Sequence, residues 1–255
     1  MWYNVHVGNE QCKKRRAYIC WELARIRIYA RRFFIGRSPF KAHPAQNKTN
    51  QRKGAVLMDK VITVSREFGS GGRELGVKLA EKLDIPFYDK ELISMAADDI
   101  NIAEEAFQNY DEHIVIHDPL DRQYYHAFSD IYKVPMSDQI FVAQSNVIRR
   151  LAAHGPCVIV GRCADMILDD SINLFIYSKM RDRIKRMLIL EPGSDEKEME
   201  RRIREVDRKR KEYYQYYTGN TWGRAQNYHL CLDSGLTGVD GCLRAVLAYL
   251  GELSE

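Results

Sequence analysis

A short β-branched run, Val61-Ile62-Thr63-Val64, passes without a break into Ser65-Arg66-Glu67-Phe68-Gly69-Ser70-Gly71-Gly72-Arg73, and a helical pattern begins at once. That succession constrains the chain more than any other feature. The apolar run reads as a buried strand, and Leu75, Leu79, Ala80 and Leu83 recur at the spacing that places them on one face of a helix over 73–83. Between the two, glycines let successive backbone N–H groups turn inward, next to the positive end of the following helix. A loop of this kind cradles phosphate groups. The plainer alternative is a tight strand-to-helix connection that binds nothing; three glycines and an arginine at one turn favour the phosphate site.

From Met58 onward, short apolar runs alternate with longer amphipathic ones, the pattern of a parallel sheet covered by crossover helices. Runs at 157–160, 173–177 and 228–232 read as further buried strands, and 86–88 as a short one. Helical patterns cover 89–99, 137–153, 181–217 and 239–250. The third is interrupted at Glu191-Pro192-Gly193-Ser194-Asp195, a helix stop followed by an N-cap. The expected architecture is a three-layer α/β domain with a central parallel sheet of about five strands.

Charge divides the chain near Met58. Residues 1–57 hold thirteen Lys or Arg against Glu10 and Glu22, a net +11, whereas the remaining 26 basic residues face 33 acidic ones, a net −7. General nucleic-acid binding is therefore not expected of the domain at 58–255. The segment 1–57 reads as a basic leader, disordered or helical. It suits an Arg-rich targeting segment or a helix on anionic lipid or RNA; the favoured reading is an upstream extension of the frame, with Met58 as the natural start. No apolar run approaches the roughly 20 residues that span a bilayer, so a cytoplasmic protein with no membrane partner is expected. The six cysteines form no C-x-x-C pair and none stands at metal-ligand spacing to a histidine, so neither a metal site nor a disulfide framework is expected. Cys157 and Cys231 read as small buried hydrophobes.

Taken in order along the chain, several segments resemble the cytidylate kinase-like family. The loop 65–73 and its flanks, continued by Ile85-Pro86-Phe87-Tyr88-Asp89-Lys90-Glu91-Leu92, look like the opening of those proteins. Val160-Gly161-Arg162 is similar to their Gly-Arg-Asp element. Arg183 and Arg186 match arginines leading to the family's lid, Asp207-Arg208-Lys209-Arg210 matches its Asp-x-x-Arg, and Leu232-Asp233-Ser234 matches an element before the last helix. The resemblance spans 59–250. It implies a P-loop NTPase-type domain with an acceptor-binding insertion about 89–135 and a helical lid about 190–226. The implied reaction moves the γ-phosphoryl group of ATP, with Mg²⁺, to a nucleoside monophosphate, most plausibly CMP or dCMP. By the resemblance, Arg66, Gly69, Ser70, Gly71, Gly72 and Arg73 hold the donor, Lys90 and Arg162 hold the acceptor, and Arg73, Arg183, Asp207 and Arg210 stabilise transfer. The expected partner is a small nucleotide; oligomeric state is left open.

Departures from the family pattern bear on the chemistry. In an ungapped comparison with ordinary cytidylate kinases, Gly72 stands where the P-loop lysine is expected, with Arg73 one residue later, and Glu74 replaces the magnesium-coordinating Ser/Thr. Met95 stands at the position of an acceptor-gripping arginine, for which Lys90 is the candidate substitute. A nucleotide-binding regulatory module with little or no turnover is therefore the alternative. Two further clusters invite a functional reading. Tyr213, Tyr214, Tyr216, Tyr217 and Trp222 suit base stacking, but packing of the lid helix is the preferred reading. His113, His117 and His126, among acidic residues, read as part of the irregular insertion rather than as a metal site.

Overall fold

The computed structural model describes residues 60–99 and 136–252. The leader 1–57, the three clustered histidines and most of the insertion 89–135 lie outside the described residues. Five strands form one sheet: β1 (Val61–Arg66), β2 (Phe87–Tyr88), β3 (Val158–Val160), β4 (Ser171–Tyr177) and β5 (Leu230–Asp233). Their order is β2-β3-β1-β4-β5, and each neighbouring pair is parallel. The helices are α1 (Gly72–Leu83), α2 (Glu91–Asp99), α3 (Met136–His154), α4 (Ala164–Ile167), α5 (Met180–Leu190), α6 (Glu196–Thr218) and α7 (Ser234–Glu252).

The central strands β1, β3 and β4 are rich in β-branched and apolar residues because both faces are covered, whereas the edge strands β2 and β5 are only partly buried. On one face Ile62, Val64, Val158, Val160, Leu174 and Ile176 pack with Leu75 and Leu79 of α1 and Val239, Cys242, Val246 and Leu250 of α7. Burial of each large side chain contributes about 1.5–3 kcal/mol. The opposite face of β1 is polar: Thr63 Oγ1 donates to Asn173 Oδ1 at 2.7 Å, and Asn173 Nδ2 donates to the Asp165 carbonyl of α4. Period-2 alternation thus gives β1 an oily side for α1 and α7 and a hydrogen-bonding side for α4.

Element ends follow local chemistry. The Asp195 carboxylate caps α6 by accepting from the Glu198 N–H at 3.0 Å, and Gly219 ends it in the left-handed region at φ 74°. The α7 pattern runs longer than the sequence suggests, yet Gly238 (φ 68°, ψ 172°) breaks it, so the regular helix begins at Val239 as expected. Among the described residues no helix is long and apolar enough to cross a membrane.

Candidate functional site

Because β1 lies in the middle of a parallel sheet, its carboxyl end opens onto the crevice where such sheets place ligands. β1 extends through Arg66, so the loop proper is Glu67–Gly71. Gly69 (φ 78°) and Gly71 (φ 81°) occupy the left-handed conformation that the turn requires. The first amide of α1, Gly72 N–H, donates to Ser70 Oγ at 3.4 Å, and the amides that follow it stand beside the loop at the positive end of the helix. Ser70 is buried and braces the turn: its Oγ donates to the Glu67 carbonyl at 2.9 Å, and its carbonyl accepts from Ser234 Oγ.

Gly72 serves a different need. A Cβ there would stand 2.5 Å from Arg66 Cβ and 3.2 Å from Ile176 Cβ, so the position is closed to any side chain while Arg66 lies across it. Gly72→Lys is expected to destabilise the protein by about 1–3 kcal/mol through overpacking rather than restore an ordinary P-loop; a melting temperature at or above that of the unaltered protein would contradict this.

Asp89, at the end of β2, gathers the arginines. Its carboxylate, 4% exposed, accepts from Arg73 Nε at 2.7 Å and Arg162 Nη1 at 3.3 Å, with Arg66 Nη2 at 4.0 Å. These three come from α1, the β3–α4 turn and β1. Arg73 therefore points to the β2 side of the crevice, over the Phe87 ring at 5.6 Å, rather than into the glycine loop. Arg162 is no ordinary surface arginine: it is 5% exposed, and Gly161, Arg162 and Cys163 hold successive positive φ values of 77°, 53° and 55°. Non-glycine residues in that region carry strain, which concentrates at ligand sites. Lys90 is exposed one residue beyond Asp89.

On the other flank, Arg183 of α5 is buried. Its Nη1 donates to the Phe68 carbonyl at 3.2 Å and to Asp207 Oδ2, and its Nε lies 3.5 Å from Glu67 Oε2. Asp207 of α6 also accepts from the Phe68 N–H at 2.8 Å, so it holds both an arginine and the loop backbone. Arg210 donates to the Arg66 carbonyl at 3.2 Å. Burial raises the Glu67 carboxyl above its ordinary range, with the Ser178 N–H and Arg183 opposing and Asp207 and Asp233 reinforcing the rise. Glu74 pairs with Arg186 and Lys78, and Arg186 itself lies against Gly71.

A small cleft lined by Ser65, Arg66, Arg162, Arg210, Tyr214 and Trp222 opens between these flanks. Beneath it the Tyr214 O–H donates to Asp165 Oδ2 at 2.7 Å, and burial pushes the Asp165 carboxyl up to about 6. Tyr213 and Tyr217 are likewise buried, their hydroxyls donating to Gln144 and Asp138 of α3. Tyr213, Tyr214 and Tyr217 are therefore anchors into the body, and Tyr213, Tyr214 and Trp222 line the cleft. Cys157 is buried and its thiol is pushed up to about 11 by burial, whereas Cys231 is only half-buried. Asp89 itself carried no signal in the sequence beyond its place in the Tyr88-Asp89-Lys90 segment.

The sequence matches the cytidylate kinase-like family over residues 61–236. Among solved structures it is similar to an uncharacterized protein from Eubacterium ventriosum, at 30% identity and a TM-score of 0.56, over 74% of this chain and 97% of that one. It is also similar to a shikimate kinase from Bacteroides thetaiotaomicron, at 14% identity and a TM-score of 0.43, over 75% and 98%. A gluconokinase from Sinorhizobium meliloti is similar at 16% identity and a TM-score of 0.40, over 77% and 95%. No curated protein matches the sequence.

Proposed function

Since this chain belongs to the cytidylate kinase-like family, we propose that it is a nucleotide kinase that moves the γ-phosphoryl group of ATP to a nucleoside monophosphate, with CMP or dCMP as the first acceptors to test. The observation that carries this reading is the convergence of Arg66, Arg162 and Arg210 on one cleft beside the glycine turn that leads into α1. Phosphoryl transfer needs alignment and neutralisation of spread-out negative charge more than covalent help, and arginine forks supply both. The α1 amides with Gly69, Ser70 and Gly71 hold the donor phosphates. Arg162, with Arg66 and Arg73 held beside it by Asp89, grips the acceptor phosphate, and Lys90 lies at the rim. Arg183 and Arg210 stabilise the transferring group, and Asp207 keeps Arg183 in place. An acceptor phosphate oxygen forms the new bond to Pγ as the bond from Pγ to the β-phosphate oxygen breaks, and ADP leaves.

Magnesium accompanies such donors, yet a site for it built from protein carboxylates fits poorly here. Glu74, in the ordinary ligand position, is engaged by Arg186 and Lys78, and among the described residues no group of three His, Cys, Asp or Glu could hold a metal ion. No step is therefore routed through a protein-held metal. The closed position at Gly72 favours the second reading, a nucleotide-binding regulatory module. An assay of ATP-dependent phosphorylation across a panel of nucleoside monophosphates decides between them. Turnover is expected, with Arg162→Ala raising the acceptor KM by about tenfold to a hundredfold, the loss of one charge-assisted pair, and Arg201→Ala leaving it unchanged. Nucleotide binding without turnover on any acceptor defeats the kinase reading.

A further inference from the structure

A glycine loop that binds phosphate has no need of a large aromatic residue, yet Phe68 stands at its head. Every group of Phe68 is engaged by α5 or α6. Its N–H donates to Asp207 at 2.8 Å, and its carbonyl accepts from Arg183 at 3.2 Å. Its ring meets the guanidinium groups of Arg202 at 5.4 Å and Arg210 at 5.8 Å, and packs on the buried cluster of Ile184, Met187, Met199 and Ile203. Met199, Ile203, Asp207 and Arg210 follow one another at three- or four-residue steps and so form one stripe of α6. That stripe matches the loop in order: apolar residues against the ring, a carboxylate on the amide, a cation on the Arg66 carbonyl. The next residue is fixed as well, because a Cβ at Gly69 would stand 3.0 Å from Met187 Cγ.

We infer that Phe68 is a positioning residue, the link through which α6 sets the shape of the phosphate loop, so that loop and helix open and close as one body. Its consequence for donor binding rests on the kinase reading above: the loop reaches its phosphate-holding shape only while the α6 stripe is seated. The linkage itself does not depend on that reading.

Amide hydrogen exchange on the full chain tests it, because exchange reports local opening whether or not the protein turns over. In the unaltered protein, amides of 68–71 and 199–210 are expected to share one level of protection. Phe68→Ala removes ring packing and two cation–π contacts, so both segments should lose about tenfold in protection while β4 keeps its own. Phe68→Leu, which retains apolar packing, should recover most of the loss. Loosening of the loop with 199–210 unchanged, or the reverse, overturns the inference. Should Phe68→Ala unfold the whole domain, Asp207→Asn serves instead, with the same joint loss expected. A protein that shows the joint opening but binds no nucleotide refutes the kinase reading and leaves the linkage standing.

Discussion

Asp89→Asn is expected to lower the melting temperature by about 6–12 °C, the largest stability effect of any single charge at the site. The reasoning starts from burial. Arg162 and Arg66 have side chains only 3% and 11% exposed, and Asp89 is the carboxylate they share with Arg73. Breaking a buried pair costs about 3–5 kcal/mol because the remaining charge stays out of water; asparagine keeps one acceptor, which sets the expectation near 3 kcal/mol. For a domain of this size each kcal/mol is worth about 2–4 °C. Exposed pairs such as Lys60–Asp170 and Arg201–Glu198 contribute about 0–1 kcal/mol by comparison, so Asp170→Asn is the matched control. Thermal unfolding of the three proteins decides the matter, and equal melting temperatures for both variants would remove Asp89 from its place at the centre of the site.

Arg183→Ala is expected to reduce turnover by about a hundredfold to a thousandfold, the usual cost of deleting one preorganised donor to a transition-state charge. It also leaves Glu67 and Asp207 facing each other without the cation between them. Burial and the Asp207 charge already raise the Glu67 carboxyl, and losing the opposing Arg183 raises it further above its unfolded value. A raised folded-state carboxyl means that the folded protein binds protons more tightly, so stability falls as pH rises. The melting deficit of Arg183→Ala relative to the unaltered protein should accordingly be larger at pH 8 than at pH 5. Arg183→Lys keeps the charge but not the fork and should recover stability more than turnover. A deficit independent of pH would show that Arg183 acts by packing alone.

Much of this fold is legible in the sequence because strands buried on both faces write themselves as apolar runs, and glycine, proline and Asp195 punctuate them. The site is legible only where spacing is local. The loop 65–73 announces itself, and Arg162 stands out at a strand end. Asp89 does not, since its partners Arg66, Arg73 and Arg162 are distant in sequence and meet only through sheet order. Gly72 misleads for a related reason. In the sequence it reads as freedom for the backbone near phosphate, whereas in the fold it is clearance for the Arg66 side chain. Tyr213, Tyr214 and Tyr217 of α6 show the opposite case, where the plain expectation of packing was the right one because their hydroxyls found buried partners on α3 and α4.

The placement of β1 has a consequence for how the protein is made. Its first residue, Val61, pairs with Ser171, and its other neighbour, β3, begins at Val158. A chain emerging from the ribosome has thus displayed the whole glycine loop long before either flanking strand exists to hold it. Strand pairing across such separations closes slowly. Until β4 and α6 follow, the loop is an unsupported segment of nascent chain, and a fragment ending at Gly155 carries every one of its glycines without the means to shape them.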